Sequence, residues 1–494
     1  MNTYTIRLHP LGKEIQVNEQ TPLIDVLHEY GIEFPCGGKG TCGKCKVRLL
    51  DGEIDTTEQH RNKLTQLGLS NDWRLACFSN CTSDITLEIE QFNHLILADE
   101  SEFKFTALDG FGIAVDLGTT TVVAQLIDLS SAKVLAVETM LNPQVKFGAD
   151  LISRIQACLD GNAAEMTQII RSAIGTMIGL MLKKHEVKIR KIVLVGNTAM
   201  QLIFSDCDTS PLSMYPFHTD NLGIKSFDSN ELGWNFQVIE TIQFYPSIGS
   251  FVGSDILAGI VATGIHQEEK YTALVDLGTN GEIVLGNRDR LVCASTAAGP
   301  AFEGSNISMG MRAVTGAISS LNLVEGKIEA TTIGNASPKG ICGSALIDAI
   351  AILRELDLIG MFGEINSGEE YIPIAGEVSL TQKDINEFQL AKAAIAAGIT
   401  ILARNLSIEL SEIETIYIAG GFGSYINLEN VTQTGMIELD TDKIRKMGNT
   451  ALIGAKIFLF SNTEIAQDIL SKTTHINLEG DPNFQDIYVD KMLL

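Results

Sequence analysis

At 494 residues the chain is too long for one compact domain, and length alone sets a prior of about two to four domains. A hydrophobic content of 45% with 20% charge is ordinary globular usage, no stretch reads as apolar for long enough to span a bilayer, and Met1–Arg7 lacks the basic-then-apolar start of a signal peptide, so the expected compartment is the cytoplasm. A net charge of −25 disfavours nucleic acid and anionic membranes as the main partners.

The first segment covers residues 1–95. Tyr4–Leu8 and Glu14–Val17 alternate apolar and polar residues, which predicts two strands of a hairpin. Thr21 and Pro22 predict an N-cap and first helical residue before Leu23–Leu27. Pro35 then stops any helix and opens a loop holding Cys36, Cys42 and Cys45 in C-x5-C-x2-C spacing, with Cys77 in Arg74–Cys77 as the candidate fourth ligand. A reducing cytoplasm disfavours disulfides, so a local cysteine cluster points to metal or redox chemistry. A [2Fe-2S] cluster needs four thiolates and a loop whose backbone N–H groups can turn toward sulfur. Gly37, Gly38, Gly40 and Gly43 permit that backbone. A zinc site expects paired C-x2-C knuckles, and Cys42/Cys45 is the one pair with that form. Residues 96–110 read as a connector.

The remainder carries an internal repeat. Asp116-Leu117-Gly118-Thr119-Thr120-Thr121 follows one apolar strand, and Asp276-Leu277-Gly278-Thr279-Asn280-Gly281-Glu282 follows another. A strand ending in a glycine turn recurs at Lys191–Met200 and at Thr415–Ser424, where Gly420, Gly421 and Gly423 cluster. Each half thus reads strand–hairpin, helices, strand, glycine turn and helix, which gives lobes at 111–265 and 266–494. Turns of Gly118, Thr119 and Thr120, and of Gly278, Thr279 and Asn280, can aim N–H groups and hydroxyls at phosphate oxygens. Asp116 and Asp276 at the strand ends can hold Mg²⁺ through water, and Glu282 can position water or metal. Gly420 and Gly421 allow close approach of adenine or ribose. The chain contains no G-x-x-x-x-G-K-[ST] phosphate loop. Glu303 and Arg312 read as a structural salt bridge, and Cys158, Cys207, Cys293 and Cys342 as core thiols.

These motifs carry resemblances. The hairpin, helix, cysteine loop and Arg74–Cys77 resemble the β-grasp [2Fe-2S] ferredoxins, which makes Cys36, Cys42, Cys45 and Cys77 the ligands and Cys81 a bystander. The paired hairpins with the Ala419–Ser424 turn resemble the actin, sugar-kinase and Hsp70 ATPases, a two-lobed ribonuclease H-like fold that binds ATP with Mg²⁺. The combination resembles the reductive activators of corrinoid proteins. Asn142-Pro143-Gln144, Gly148–Asp150, Val195–Thr198, Gly299–Gly304, Gly310–Ala313 and Ile341–Ser344 support that likeness. The resemblance implies an α/β multidomain protein that spends ATP to pass an electron from its cluster to Co(II) of a corrinoid protein in methyl transfer. It also implies an external low-potential electron donor and a homodimer. The short Cys77–Asp116 spacing predicts that a middle segment usual in that family is missing. A plant-type cluster near about −400 mV cannot readily reduce a lower-potential acceptor unaided, which gives ATP a purpose. The alternatives are an activator of another low-potential enzyme, such as a dehydratase, and a non-catalytic redox or nucleotide sensor.

Overall fold

The computed structural model describes residues 2–9, 13–27, 45–89, 105–278, 280–304, 306–313, 316–420 and 426–494, with 30, 32, 40, 43 and 103. The first unit contains β1 (Thr3–His9), β2 (Lys13–Asn18), β3 (Thr21–Pro22), α1 (Ile24–Leu27) and β4 (Lys46–Asp51). It continues through α2 (Glu58–Gln66), β5 (Trp73–Leu75), β6 (Asn80–Cys81) and β7 (Ile85–Glu88). Among the described residues its sheet order is β2-β1-β7-β4-β5. β1 pairs antiparallel with β2 and parallel with β7, a mixed sheet. Alternation in β1 sends Ile6 and Leu8 into a core with Leu23, Leu27, Val47, Leu75, Ile85 and Leu87, while Arg7 faces water.

Thr21 and Pro22 are not a helix cap. They form the short strand β3 opposite Cys81 and Asn80. Gln20 N donates to Cys81 O at 2.8 Å and Leu23 N to Ser79 O at 2.9 Å. These bonds on either side fix an extended chain, and proline costs no donor at such an edge.

The second unit begins with β8 (Phe111–Leu117), β9 (Thr121–Asp128) and β10 (Lys133–Leu141). Then come α3 (Leu151–Ala157), α4 (Ala163–His185), β11 (Ile189–Gly196), α5 (Thr198–Phe204), β12 (Lys225–Phe227), β13 (Val238–Phe244) and α6 (Ser254–Thr263). Its sheet order is β10-β9-β8-β11-β13-β12. The third unit opens with β14 (Thr272–Leu277), β15 (Gly281–Gly286) and β16 (Leu291–Thr296). A side layer follows, with β17 (Ala317–Val324), β18 (Lys327–Thr332), β19 (Gly340–Ile341), α7 (Gly343–Glu355), β20 (Tyr371–Ala375) and β21 (Val378–Thr381). The unit closes with α8 (Gln382–Leu406), β22 (Thr415–Ala419), α9 (Leu428–Gln433), β23 (Ile444–Gly448), α10 (Thr450–Phe460), α11 (Glu464–Lys472), β24 (Thr473–His475) and α12 (Phe484–Asp490). Its main sheet runs β23-β22-β14-β15-β16-β24.

The internal repeat is therefore topological. β8 has β9 antiparallel on one side and β11 parallel on the other. β14 has β15 antiparallel and β22 parallel. Asp116 sits beside Val195, and Asp276 beside Ala419, so each acidic strand end abuts the strand that runs into a glycine turn.

One expectation about composition fails. α8 is long and apolar enough, taken alone, to cross a bilayer. It is instead a core helix, packed on β15 and β16, with Ile395, Ile399 and Leu402 buried in the third unit.

Between the two large sheets lie α6 and α10. A shared core joins Ala114, Val193 and Val195 of one sheet to Leu274, Val284 and Ala419 of the other through Leu257, Ile260, Leu452 and Phe458 on these helices. The helices touch closely because Gly454 has no side chain: a Cβ there would stand 2.0 Å from Ala258 O. Alanine at this position would add about 1 kcal/mol of helix propensity, but the obstacle is backbone. Gly454→Ala should cost a net of about 1–3 kcal/mol by overpacking, read by chemical denaturation. An unchanged or raised midpoint would show that the helices can part freely.

Candidate functional site

The cysteine site is built by two segments. Cys36 and Cys42 lie outside the described residues. The sulfurs of Cys45 and Cys77 stand 3.2 Å apart with no disulfide between them, a separation far beyond a covalent S–S bond. Ala76 N donates to Cys45 O at 2.9 Å, which ties the Cys77 turn to the end of the cysteine loop. Gly40 and Gly43 have φ of +72° and +70°, the left-handed region that glycine adopts without penalty. Leu75 N donates to Nε2 of buried His60 at 2.9 Å, so α2 braces the segment carrying Cys77. Cys81 points elsewhere, its thiol 3.3 Å from Ser83 O. Two facing thiols, one at the end of a glycine-shaped loop and one on the turn after β5, are a donor set that fits an iron–sulfur cluster.

The second site lies where the two large sheets meet. Asp116 ends β8, Asp276 ends β14, and Glu282 opens β15 directly opposite Asp276. Asp255, in the first turn of α6, joins them. Burial raises all four carboxyls. Asp116 is pushed up to about 6, held back by Asn449, whose Nδ2 donates to its Oδ2 at 2.8 Å. Asp276 is pushed up to about 7, by burial first and then by the charge of Asp116. Asp255 reaches about 8, with burial again the largest cause and both aspartates adding to it. Glu282 is held well above the ordinary carboxylate range by burial, then by Asp255 and Asp276. Four carboxyls that repel one another in a poorly hydrated junction need a cation or protons.

In both hairpin turns the glycine N–H closes the turn on itself. Gly118 N closes the first turn on Thr121 O at 3.1 Å, and a Cβ at Gly118 would sit 2.6 Å from that oxygen. Thr119 Oγ1 accepts from Asn197 Nδ2 at 2.8 Å, Thr120 O from Asn142 N at 2.8 Å, and Gly118 O from Asn142 Nδ2 at 2.9 Å. In the second turn Gly278 N donates to Asn280 O at 3.0 Å; Thr279 lies outside the described residues. Gly420 has φ of +100°, and a Cβ there would meet Leu277 O at 2.2 Å, so it passes tightly over the end of β14. Gly421 and Gly423 are also outside the described residues.

The sequence reading missed Asp255 and Asn449. Gly253-Ser254-Asp255 opens α6, and Gly448-Asn449-Thr450 opens α10. Each follows a strand of its own half, so aligning the two halves past the glycine turns would have found the pair. Among the described residues no three His, Cys, Asp or Glu side chains converge tightly enough to hold one ion directly. A cation that keeps its water shell suits the junction. Two open hollows lie elsewhere: about 470 Å³ beside Gly40 and Phe78, and about 850 Å³ lined by α4 and Trp234. Neither is lined by these carboxylates.

Comparison with known proteins finds three matched regions. Residues 6–82 match a 2Fe-2S iron-sulfur cluster binding domain, 111–268 the RACo middle region, and 270–494 the C-terminal ASKHA domain of RACo. The chain is 32% identical to the corrinoid activation enzyme RamQ of Eubacterium limosum, over 97% of both chains. It belongs to the family of corrinoid reductive activators. A second relative, the [Co(II) methylated amine-specific corrinoid protein] reductase of Methanosarcina barkeri, is 26% identical over 77% of this chain and 76% of its own. A solved reductive activator for a corrinoid, iron-sulfur protein superposes with a TM-score of 0.69 at 30% identity, covering 99% of this chain and 98% of that one. The region matched as the middle one is the stretch read as the first lobe, and it begins after the short stretch that links Cys77 to Asp116.

The junction predicts a pH effect. A raised carboxyl pKa favours the folded state fully below the unfolded value of 3.8, and that contribution is lost as pH rises through the folded values of about 6 to 8. Asp255→Asn removes one such group. Its Tm should exceed that of the metal-free parent by a margin that grows from pH 5 to about pH 8, and Mg²⁺ should shrink that margin. A margin independent of pH and Mg²⁺ would contradict the assignment.

Proposed function

We propose that this chain performs ATP-dependent reductive activation of a corrinoid protein, delivering one electron to Co(II) so that Co(I) is restored for methyl transfer. The observation that carries this is the union, in one chain collinear with a corrinoid activation enzyme, of a two-thiol cluster loop and an interlobe carboxylate junction.

Cys36, Cys42, Cys45 and Cys77 would hold a [2Fe-2S] cluster, which when bound supplies a one-electron carrier. The residues around it have structural tasks. His60 and Ala76 hold the Cys77 turn, and Gly40 and Gly43 leave room for the side chains of Phe78 and Leu67. ATP would lie between the lobes. Gly118, Thr119 and Thr120 from one side, and Gly278, Thr279 and Asn280 from the other, would take its phosphates. Gly420, Gly421 and Gly423 would pass beneath its adenosine. Asp116 and Asp276 would hold hydrated Mg²⁺, while Glu282 and Asp255 orient water. Asp255, whose carboxyl is pushed up to about 8, can accept or keep a proton near neutral pH.

Nucleotide can bias the partner complex only through unequal affinity for two states. The junction provides the means, since its ligands come from both lobes and from the helices between them. An external low-potential donor would refill the cluster. A homodimer and a cytoplasmic setting complete the proposal.

The test mixes anaerobically reduced, cluster-loaded protein with a Co(II) corrinoid protein, with and without Mg²⁺-ATP. Co(I) absorption should rise with ATP and stay near baseline without it. Asp276→Asn should lower the ATP-dependent rate by roughly 10²–10³-fold, the scale seen when a charge-stabilising group is removed, while the spectrum of the cluster stays unchanged. Failure of Co(I) to form with every methyl-transfer corrinoid protein tried would overturn the proposal.

A further inference from the structure

Arg154 is 0% exposed and lies in α3, one turn after the capping box made by Asp150 and Ser153. Its Nε donates to Gly148 O at 3.0 Å. Its Nη1 has two long contacts, Gln144 Oε1 at 3.4 Å and Met200 Sδ at 3.5 Å. Its Nη2 has no acceptor. Leaving a buried charged donor unpaired is costly, and folded proteins rarely tolerate it without a reason. Burial pushes the guanidinium down to about 9, partly offset by the charges of Asp150 and Glu303, neither of which forms an ion pair with it. It remains a cation at neutral pH.

Its neighbours connect it to the first phosphate turn. Met200 Sδ, which Arg154 touches, is also 3.6 Å from Asn142 Nδ2, and that amide donates to Gly118 O at 2.9 Å. Met200 N donates to Asn197 Oδ1 at 3.0 Å, and Asn197 holds Thr119. Arg154 is thus set in the same buried network that shapes Gly118–Thr120. Glu303, whose charge it feels, belongs to the opposite lobe. The guanidinium therefore lies behind the first hairpin turn, with one nitrogen lacking an acceptor.

We propose that Arg154 reads the terminal phosphate of the bound nucleotide, its Nη2 donating to an oxyanion that a nucleoside triphosphate has and a diphosphate lacks. This rests on the nucleotide reading of the junction. A guanidinium offers two parallel donors to a phosphate, a match that lysine supplies only as a point charge. The role is that of a binding and discriminating residue, which makes lobe closure depend on the triphosphate.

The experiment titrates cluster-loaded parent, Arg154→Met and Arg154→Lys with Mg²⁺-ATP and with Mg²⁺-ADP, and records Tm with and without each nucleotide. Arg154→Met should weaken ATP binding roughly tenfold or more, the worth of a hydrogen bond to a charged group, with ADP binding within about twofold of the parent. Arg154→Lys should fall between. Nucleotide-free Arg154→Met should melt at or above the parent, because an apolar residue replaces an unpaired buried charge, and its ATP-induced Tm rise should drop to that given by ADP. The proposal is overturned if Arg154→Met keeps the ATP-to-ADP preference, or if it loses both nucleotides equally along with its Tm. A parent that binds neither nucleotide would instead remove the junction reading, and this proposal with it.

Discussion

The organising constraint is negative charge held where it does not want to be. Asp116, Asp255, Asp276 and Glu282 meet at the seam of two sheets; burial raises every one of them, and the neighbouring carboxylates add to it at Asp255, Asp276 and Glu282. Such a junction is uneasy when empty and settles when a cation arrives. Because the four groups come from β8, α6, β14 and β15, whatever neutralises them also draws the lobes to one geometry.

The rest of the body serves the junction. Two sheets of matching topology deliver Asp116 and Asp276 at equivalent strand ends. α6 and α10 pack between the sheets with backbone against backbone at Gly454 and Ala258, and their first turns deliver Asp255 and Asn449. The first lobe also reaches toward the cysteine unit. Lys146 Nζ, in the segment after Asn142, lies 2.6 Å from Glu165 and 3.7 Å from Asp25 of α1. A partly exposed pair of this kind is worth little in stability. It does place the cysteine unit next to the segment that supports the first phosphate turn, a short path from nucleotide state to electron carrier.

What the sequence revealed was what it states locally. The Asp-Leu-Gly-Thr phrase is written twice in consecutive residues, and each copy makes its own hairpin, so the repeat and its two hairpin turns were readable. The glycine-rich cysteine loop was readable for the same reason. Asp255 and Asn449 were not. Asn449 bonds to Asp116 across 333 positions, and nothing near either residue announces the other. Arg154 carries no local signal either, because only the fold puts its charge behind Gly118. Thr21-Pro22 carried a helix-cap pattern that strand pairing with Asn80 and Cys81 overrode. α8 shows the converse, since its composition would suit a membrane and its packing gives it a core.

The two halves of the function depend on different parts of this picture. Electron carriage needs the thiols, which a short loop and one turn bring together. Control needs the junction, which the whole body assembles. The second claim is the central one, and proton counting tests it most directly. Calorimetry of Mg²⁺-ATP binding in buffers of different ionisation enthalpy, near pH 6.5, measures the protons displaced. Carboxyls raised to about 7 and 8 carry protons at that pH, and a cation must expel them. The account predicts release of about one proton or more per nucleotide, reduced in Asp255→Asn. Tight binding with no proton released would mean that the nucleotide and its metal sit elsewhere.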